Sequence, residues 1–243
     1  IASLGPSTDK AKALSALIGE GSDVARINMS HGSLEDHRRR ATELRDCARE
    51  VNRPVALLLD LQGPKIRIQG FRMGKVHLRN GRRFYIDLAL GSEDGTEDGV
   101  GTTYSGLPED VKAGDNLLLD DGNIALRVEE VAGNRIINRV ISGGELLGFK
   151  GINLQGGGLS AAALTPQDHE HIRFAAEIRA DIVGVSFVRN GADVETARML
   201  LRAAGSEAHI VAMSERREAI DHIDEIITTA DAIMVARGDL GVE

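Results

Sequence analysis

The stretch "PVALLLDLQGPKIR" occupies residues 54–67. Its first half is an almost unbroken apolar run that ends on a carboxylate, Asp60. A strand of this kind is buried on both faces, as in a parallel sheet covered by helices. Its second half turns at Gly63-Pro64 and brings two cations, Lys65 and Arg67, back past the strand end. Such a strand predicts further strands of the same type on either side, with helices between them.

Upstream, "IASLG" reads as a first strand and "TDKAKALSALIGEG" as a helix, with Ser7 or Thr8 as its cap and Gly21 as its stop. "DVARINMS" (residues 23–30) is strand-like. "SLEDHRRRATELRDCAREV" is a helix with a capping-box-like start at Ser33 and Asp36. Downstream, glycine becomes frequent and helical patterns fade. "LLLDDGNIALRVEEV" reads as two strands joined around Asp121 and Gly122, and "RIINRVIS" as another. "QGGGLSAAA" (155–163) is a return strand or hinge. The strand–helix rhythm then resumes. "TPQDHEHIRFAAEI" is capped by Thr165, with Pro166 at its first position. "ADIVGVSFV", "HIVAMSE" and "AIMVARGD" are strands; "GADVETARMLLRAAG" and "EAIDHIDEIITTA" are helices. Six parallel-type strands fit a doubly wound sheet or a barrel. No GxGxxG turn follows the first strand, which disfavours the dinucleotide-binding sheet. Six strands do not close the usual eight-stranded barrel.

Composition narrows the function. The 243 residues carry 29 Lys and Arg against 37 Asp and Glu, a net charge of −8. No basic patch dominates, which argues against nucleic acid as a partner. "HRRR" (37–40) is the densest basic run and reads as a solvated helix face. The single cysteine, Cys47, precludes an internal disulfide, fits a reducing, cytoplasmic setting, and reads as a small buried helix residue. No apolar run reaches the ~18 residues that span a bilayer, so no membrane partner is expected. No signal peptide pattern opens the chain. It starts at Ile1 and stops at "ARGDLGVE", and both ends read as cut.

Three carboxylates follow strand candidates: Asp60 after "VALLL", Glu215 after "IVAMS" and Asp239 after "IMVARG". Carboxylates at C-terminal strand ends suit Mg²⁺, which takes hard oxygen ligands and only one or two from the protein. Any one of them could instead cap the next helix. In "ARINMSHG" the polar Arg26, Asn28 and Ser30 alternate with Ala25, Ile27 and Met29, so one strand face carries a guanidinium, an amide and a hydroxyl. Such a face in a buried strand needs partners. Arg suits phosphate or carboxylate, and the Asn and Ser oxygens suit a cation. His31 reads as a turn histidine or a proton shuttle. Gly238 lets backbone N–H groups approach an anion.

Four segments, "ARINMSHG" (25–32), "LLLDLQGPKIR" (57–67), "KGINL" (150–154) and "DEIITTADAIMVARGDLGVE" (224–243), resemble the pyruvate kinase family, and the likeness spans nearly the whole chain. The resemblance implies an α/β fold: a TIM (β/α)8-type barrel, incomplete at about six strands (1–68 and 163–243), with an inserted small β-barrel lid domain (69–162). It implies phosphoryl transfer from phosphoenolpyruvate to ADP, giving ATP and pyruvate in the last step of glycolysis. Glu215 and Asp239 match the ligands of Mg²⁺ or Mn²⁺. Arg26 matches the arginine that meets the transferring phosphate. Asn28, Ser30, Asp60 and the Leu61 carbonyl match the monovalent-cation site. Ala236, Arg237, Gly238 and Asp239 match the turn that holds the substrate carboxylate, and Asn28, His31 and Arg67 the nucleotide side. Lys65 stands where K⁺-requiring members carry Glu, so the site is expected not to require K⁺. The full-length protein is expected to be a homotetramer.

Two departures stand out. The family pattern near residue 213 is "KIE" or "KVE", and this chain has "MSE". Met213 thus replaces the lysine that neutralises the phosphoryl group in flight. The last two barrel strands and the family's C-terminal domain also lie outside the chain. An alternative expectation is therefore a non-catalytic relative that binds nucleotide or phosphoenolpyruvate.

Overall fold

The computed structural model describes residues 1–10 and 12–242. In chain order the elements begin with β1 (Ala2–Ser3), α1 (Ala13–Gly19), β2 (Val24–Asn28), α2 (Leu34–Glu50) and β3 (Ala56–Asp60). There follow β4 (Lys75–Leu78), β5 (Arg83–Asp87), β6 (Gly99–Val100), α3 (Leu107–Asp110), β7 (Asn116–Leu119), β8 (Ile124–Ala132), β9 (Arg135–Ser142), β10 (Gly144–Leu147) and β11 (Ile152–Leu154). The chain continues through α4 (Pro166–Glu177), β12 (Ile182–Val185), α5 (Gly191–Ala203), β13 (His209–Ser214), α6 (Arg217–Asp221), α7 (Ile223–Thr229), β14 (Ala232–Val235) and α8 (Arg237–Leu240). These form two compact units. One comprises Ile1–Pro64, Ala163–Ser214 and Asp221–Val235; the other comprises Lys65–Ala162, Glu215–Ile220 and the chain from Ala236 onward.

The first unit is built on a curled parallel sheet of six strands in the order β1-β2-β3-β12-β13-β14. Burial explains the parallel choice. Leu57, Leu58, Leu59 and Asp60 of β3 are all buried, so both faces of the strand are covered. β2 alternates instead: Ala25 and Ile27 are buried, while Arg26 and Asn28 are half-buried on the opposite face. Pairing sets Asn28 beside Asp60, and Asp60 beside Gly184.

Local chemistry sets the helix starts. The Ser33 hydroxyl accepts the Asp36 N–H at the start of α2. At α4 the Thr165 hydroxyl accepts the Asp168 N–H, and the Asp168 carboxylate accepts the Thr165 N–H, a complete capping box with Pro166 at the first turn. The side chain of Asn190 caps α5.

Several sequence expectations shift. α1 begins at Ala13, not at a cap on Ser7 or Thr8: the Thr8 hydroxyl closes a turn with Gly5 instead. Ala11, within the expected helix, lies outside the described residues. The "HRRR" run is not uniformly solvated, because His37 and Arg40 are buried. Cys47 is half-buried, with the Ser15 hydroxyl 3.5 Å from its Sγ. "EAIDHIDEIITTA" is two helices, interrupted where His222 leaves helical geometry at φ −113° and ψ 23°. The strand in "ADIVGVSFV" stops at Val185, before Phe187 at φ 55°.

Arg40 is buried because Asp9 accepts from both ends of its fork, at 2.8 and 2.7 Å. Hydrogen bonding from the Arg40 guanidinium pulls the Asp9 carboxyl down to about 2. A depressed carboxylate contributes stability above its unfolded value and loses it as pH falls through the folded one. Asp9→Asn should therefore destabilise the protein near neutral pH by on the order of 1 kcal/mol, after discounting for solvent screening. The difference from the parent should shrink between pH 3.8 and about 2. Urea unfolding across that range would show it, and a difference constant with pH would count against it.

The second unit carries a six-stranded sheet, β11-β7-β8-β9-β5-β6, and the two-stranded pair β10-β4. All neighbours in the larger sheet are antiparallel except β5 and β6. Its core is its own, centred on Ile68, Phe84, Leu117, Leu119, Leu126 and Ile136. The β7–β8 hairpin turns through Asp120, Asp121 and Gly122, all at positive φ.

Candidate active site

In the first unit the candidate residues gather at the ends of β2 and β3. Asp60 is almost fully buried. Its Oδ2 accepts from Arg26 Nε at 2.9 Å and from Arg26 Nη2, while Arg26 Nη1 donates to Ser3 Oγ at 3.2 Å. All three guanidinium nitrogens are thus engaged. Burial pushes the Asp60 carboxyl above its ordinary range, and the Arg26 charge opposes that rise. Asn28 Oδ1 accepts the Ser30 N–H at 2.9 Å, so the amide folds the chain into the turn that follows β2. His31 lies exposed on that turn, its N–H 3.5 Å from the Asn28 carbonyl.

Ser186 is a residue that the sequence reading passed over. It is buried just beyond β12, and its hydroxyl donates to the Leu61 carbonyl at 2.8 Å. Asp60 Oδ1 and Met213 Sδ each lie 3.4 Å from the same hydroxyl. The only sequence signal was one hydroxyl within an apolar strand pattern. Met213, on β13, is 5% exposed and points its thioether into this polar corner. A thioether is a weak acceptor that carries neither a charge nor a proton to donate.

In the second unit Glu215 follows β13 and is 6% exposed. The Lys65 ammonium lies 2.9 Å from Asp239 Oδ1, with both side chains roughly one-third exposed. Arg67 Nη1 donates to the Phe149 carbonyl at 3.0 Å, and the Arg67 N–H donates to Thr103 Oγ1. "ARGDLG" does not extend a strand. β14 ends at Val235, and Arg237–Leu240 form one helical turn, with the Leu240 N–H bonded to the Ala236 carbonyl. The N–H groups of a first helical turn lack partners inside the helix, so Arg237, Gly238 and Asp239 present theirs at the turn.

Among the described residues, no group of three or more His, Cys, Asp or Glu is arranged to hold a metal. The sequence had grouped Asp60 with Glu215 and Asp239 by their positions after strands. Of these, Asp60 is paired with Arg26. Two hard carboxylate donors match what Mg²⁺ takes from a protein, while in this structure Asp239 is paired with the Lys65 ammonium. The donor chemistry of Glu215 and Asp239 therefore fits such an ion.

Comparison with known proteins agrees with this architecture. The family profile for the pyruvate kinase barrel domain matches residues 1–243. Pyruvate kinase II of Salmonella typhimurium is 50% identical over 246 residues, covering 100% of this chain and 51% of that protein. The pyruvate kinase of Haemophilus influenzae is 47% identical, covering 100% and 52%. That of Mycobacterium tuberculosis is 41% identical over 243 residues, covering 100% and 51%. The chain spans about half the length of the curated relatives it matches. With its curled parallel sheet, its β-rich insertion and this likeness along its whole length, the chain belongs to the pyruvate kinase family.

Proposed function

We propose that the full-length protein, a cytoplasmic homotetramer, transfers the phosphoryl group of phosphoenolpyruvate to ADP, forming ATP and pyruvate in glycolysis. The observation that carries this reading is the Arg26–Asp60 pair at the ends of β2 and β3. Phosphoryl transfer depends mainly on positioned positive charge. A guanidinium fixed by a buried carboxylate keeps its orientation without moving during the reaction.

Glu215 and Asp239 would hold Mg²⁺ or Mn²⁺, which when bound supplies charge to neutralise phosphate oxygens. Arg26 meets the transferring phosphate. The turn at Ala236, Arg237, Gly238 and Asp239 holds the substrate carboxylate through backbone N–H groups. Asn28, His31 and Arg67 face the nucleotide. Asn28, Ser30, Asp60 and the Leu61 carbonyl form the monovalent-cation position. Internal donors already serve three of these groups: Ser30 N–H on Asn28, Arg26 on Asp60, and the Ser186 hydroxyl on Leu61. That, with the Lys65 ammonium close by in sequence, supports a site that works without K⁺.

The test is ATP formation from phosphoenolpyruvate and ADP by the full-length protein with Mg²⁺. Adding KCl at constant ionic strength should leave the rate within twofold. A several-fold rise would contradict the role given to Lys65. Absence of ATP formation in both the parent and Met213→Lys would overturn the assigned reaction.

A further inference from the structure

Gly156, Gly157 and Gly158, which leave β11 on the way to α4, have φ of 92°, 79° and 105°. Side-chain-bearing residues rarely adopt that conformation, and glycine enters and leaves it freely. Within this segment the Gly157 N–H donates to the Leu154 carbonyl at 2.9 Å. Side chains of residues 216 and 218 hold the residues that follow. Glu218 Oε1 accepts the Gly158 N–H at 2.5 Å. A Cβ built on Gly157 would lie 3.1 Å from that same oxygen, so the carboxylate is seated against glycine backbone. Arg216 is 3% exposed, and its Nη1 donates to the Leu159 carbonyl at 3.0 Å and reaches that of Ala161 at 3.4 Å. A second clamp acts from α3. Asp110 Oδ2 accepts the Ser160 N–H at 2.8 Å and the Tyr104 hydroxyl at 2.7 Å.

The first clamp has a further feature. Arg216 and Glu218 are one and three residues past Glu215. A short stretch, buried at Glu215 and Arg216 and entering α6 at Arg217, therefore connects the carboxylate assigned to the metal with the residues that pin the glycine segment. Displacing that stretch moves both ends of it.

We propose that Arg216 and Glu218 form a latch on residues 156–161 and act as positioning residues for Glu215, so that divalent-cation binding and closure of the glycine segment favour each other. The inference rests on the reading of Glu215 as a metal ligand. Linkage makes the coupling reciprocal: whatever factor the closed latch adds to cation affinity, the cation adds to closure of the latch.

The test uses the full-length protein with Mn²⁺ as the only added ligand. Amide hydrogen exchange at residues 158–161 should slow about five- to tenfold on saturation with Mn²⁺, the lower range of ordinary coupling. Glu218→Ala should abolish this slowing and raise the Mn²⁺ dissociation constant by the same factor. Glu218→Gln keeps a carbonyl oxygen for the Gly158 N–H and should restore most of both effects. A purely structural role would loosen exchange in Glu218→Ala without changing Mn²⁺ affinity, and that result would overturn the proposal. Glu215→Gln separates the two assignments. If that variant loses Mn²⁺ binding while Mn²⁺ leaves exchange at 158–161 unchanged in the parent, the latch is wrong and the metal ligand stands. If it binds Mn²⁺ like the parent, the metal assignment falls and the coupling with it.

Discussion

Met213→Lys in the full-length protein is expected to raise ATP formation by ~10²–10³, the usual worth of one well-placed charge in a preorganised site. The structure gives the substitution a place to work. Met213 is buried on β13 with its sulfur 3.4 Å from the Ser186 hydroxyl, and that hydroxyl lies 3.4 Å from Asp60 Oδ1. Lys and Met are similar in length, so the ammonium enters a corner already furnished with acceptors. Burial of a lone ammonium would be costly, but a neighbouring carboxylate and hydroxyl offset much of that cost. A coupled assay decides the outcome. Equal rates in parent and variant would mean that another cation supplies the missing charge. ATP formation only in the variant would mean that the parent binds without turning over, as the alternative expectation holds.

The second large effect concerns stability. Arg26→Met should cost about 3 kcal/mol near neutral pH, the low end for orphaning one partner of a buried ion pair. The low end applies because the Arg26 side chain is 28% exposed and that of Asp60 only 4%. The loss should depend on pH with a definite sign. Burial already raises the Asp60 carboxyl, and removing the Arg26 charge raises it further. A carboxyl raised in the folded state is favoured when protonated, so its contribution is fullest below the unfolded value and is lost as pH rises through the folded one. The deficit of Arg26→Met should therefore be largest at pH 7 and shrink in acid. Adding Asp60→Asn should recover more than half of it, because a neutral amide does not demand a cation. Urea unfolding of the parent, single and double variants at two pH values measures this. A deficit independent of pH, or untouched by Asp60→Asn, would refute the account.

Much of the molecule was legible in the sequence because its signals are local. The unbroken apolar run 56–59 could only be a strand covered on both faces, and β3 is one. Thr165-Pro166 and Ser33 marked helix starts because capping depends on residues three apart. The alternation in 25–30 separated the polar from the buried face of β2.

The failures share a different cause. "HRRR" read as solvated because nothing nearby reveals Asp9, which buries Arg40 from 31 residues away. Ser186 read as one more strand residue because its acceptor, the Leu61 carbonyl, is 125 residues distant. The pairing of Asp60 was not legible because its partner Arg26 lies on the neighbouring strand, and only the parallel pairing of β2 with β3 brings them within hydrogen-bonding distance. By itself the sequence determined the strand–helix rhythm, the inserted β-rich stretch and the family likeness, and it placed Met213 where that likeness leads one to expect lysine. Only the tertiary structure decided which charge meets which, because hydrogen bonds and ion pairs act over about 3 Å, and pairing of strands far apart in the chain sets which groups come that close.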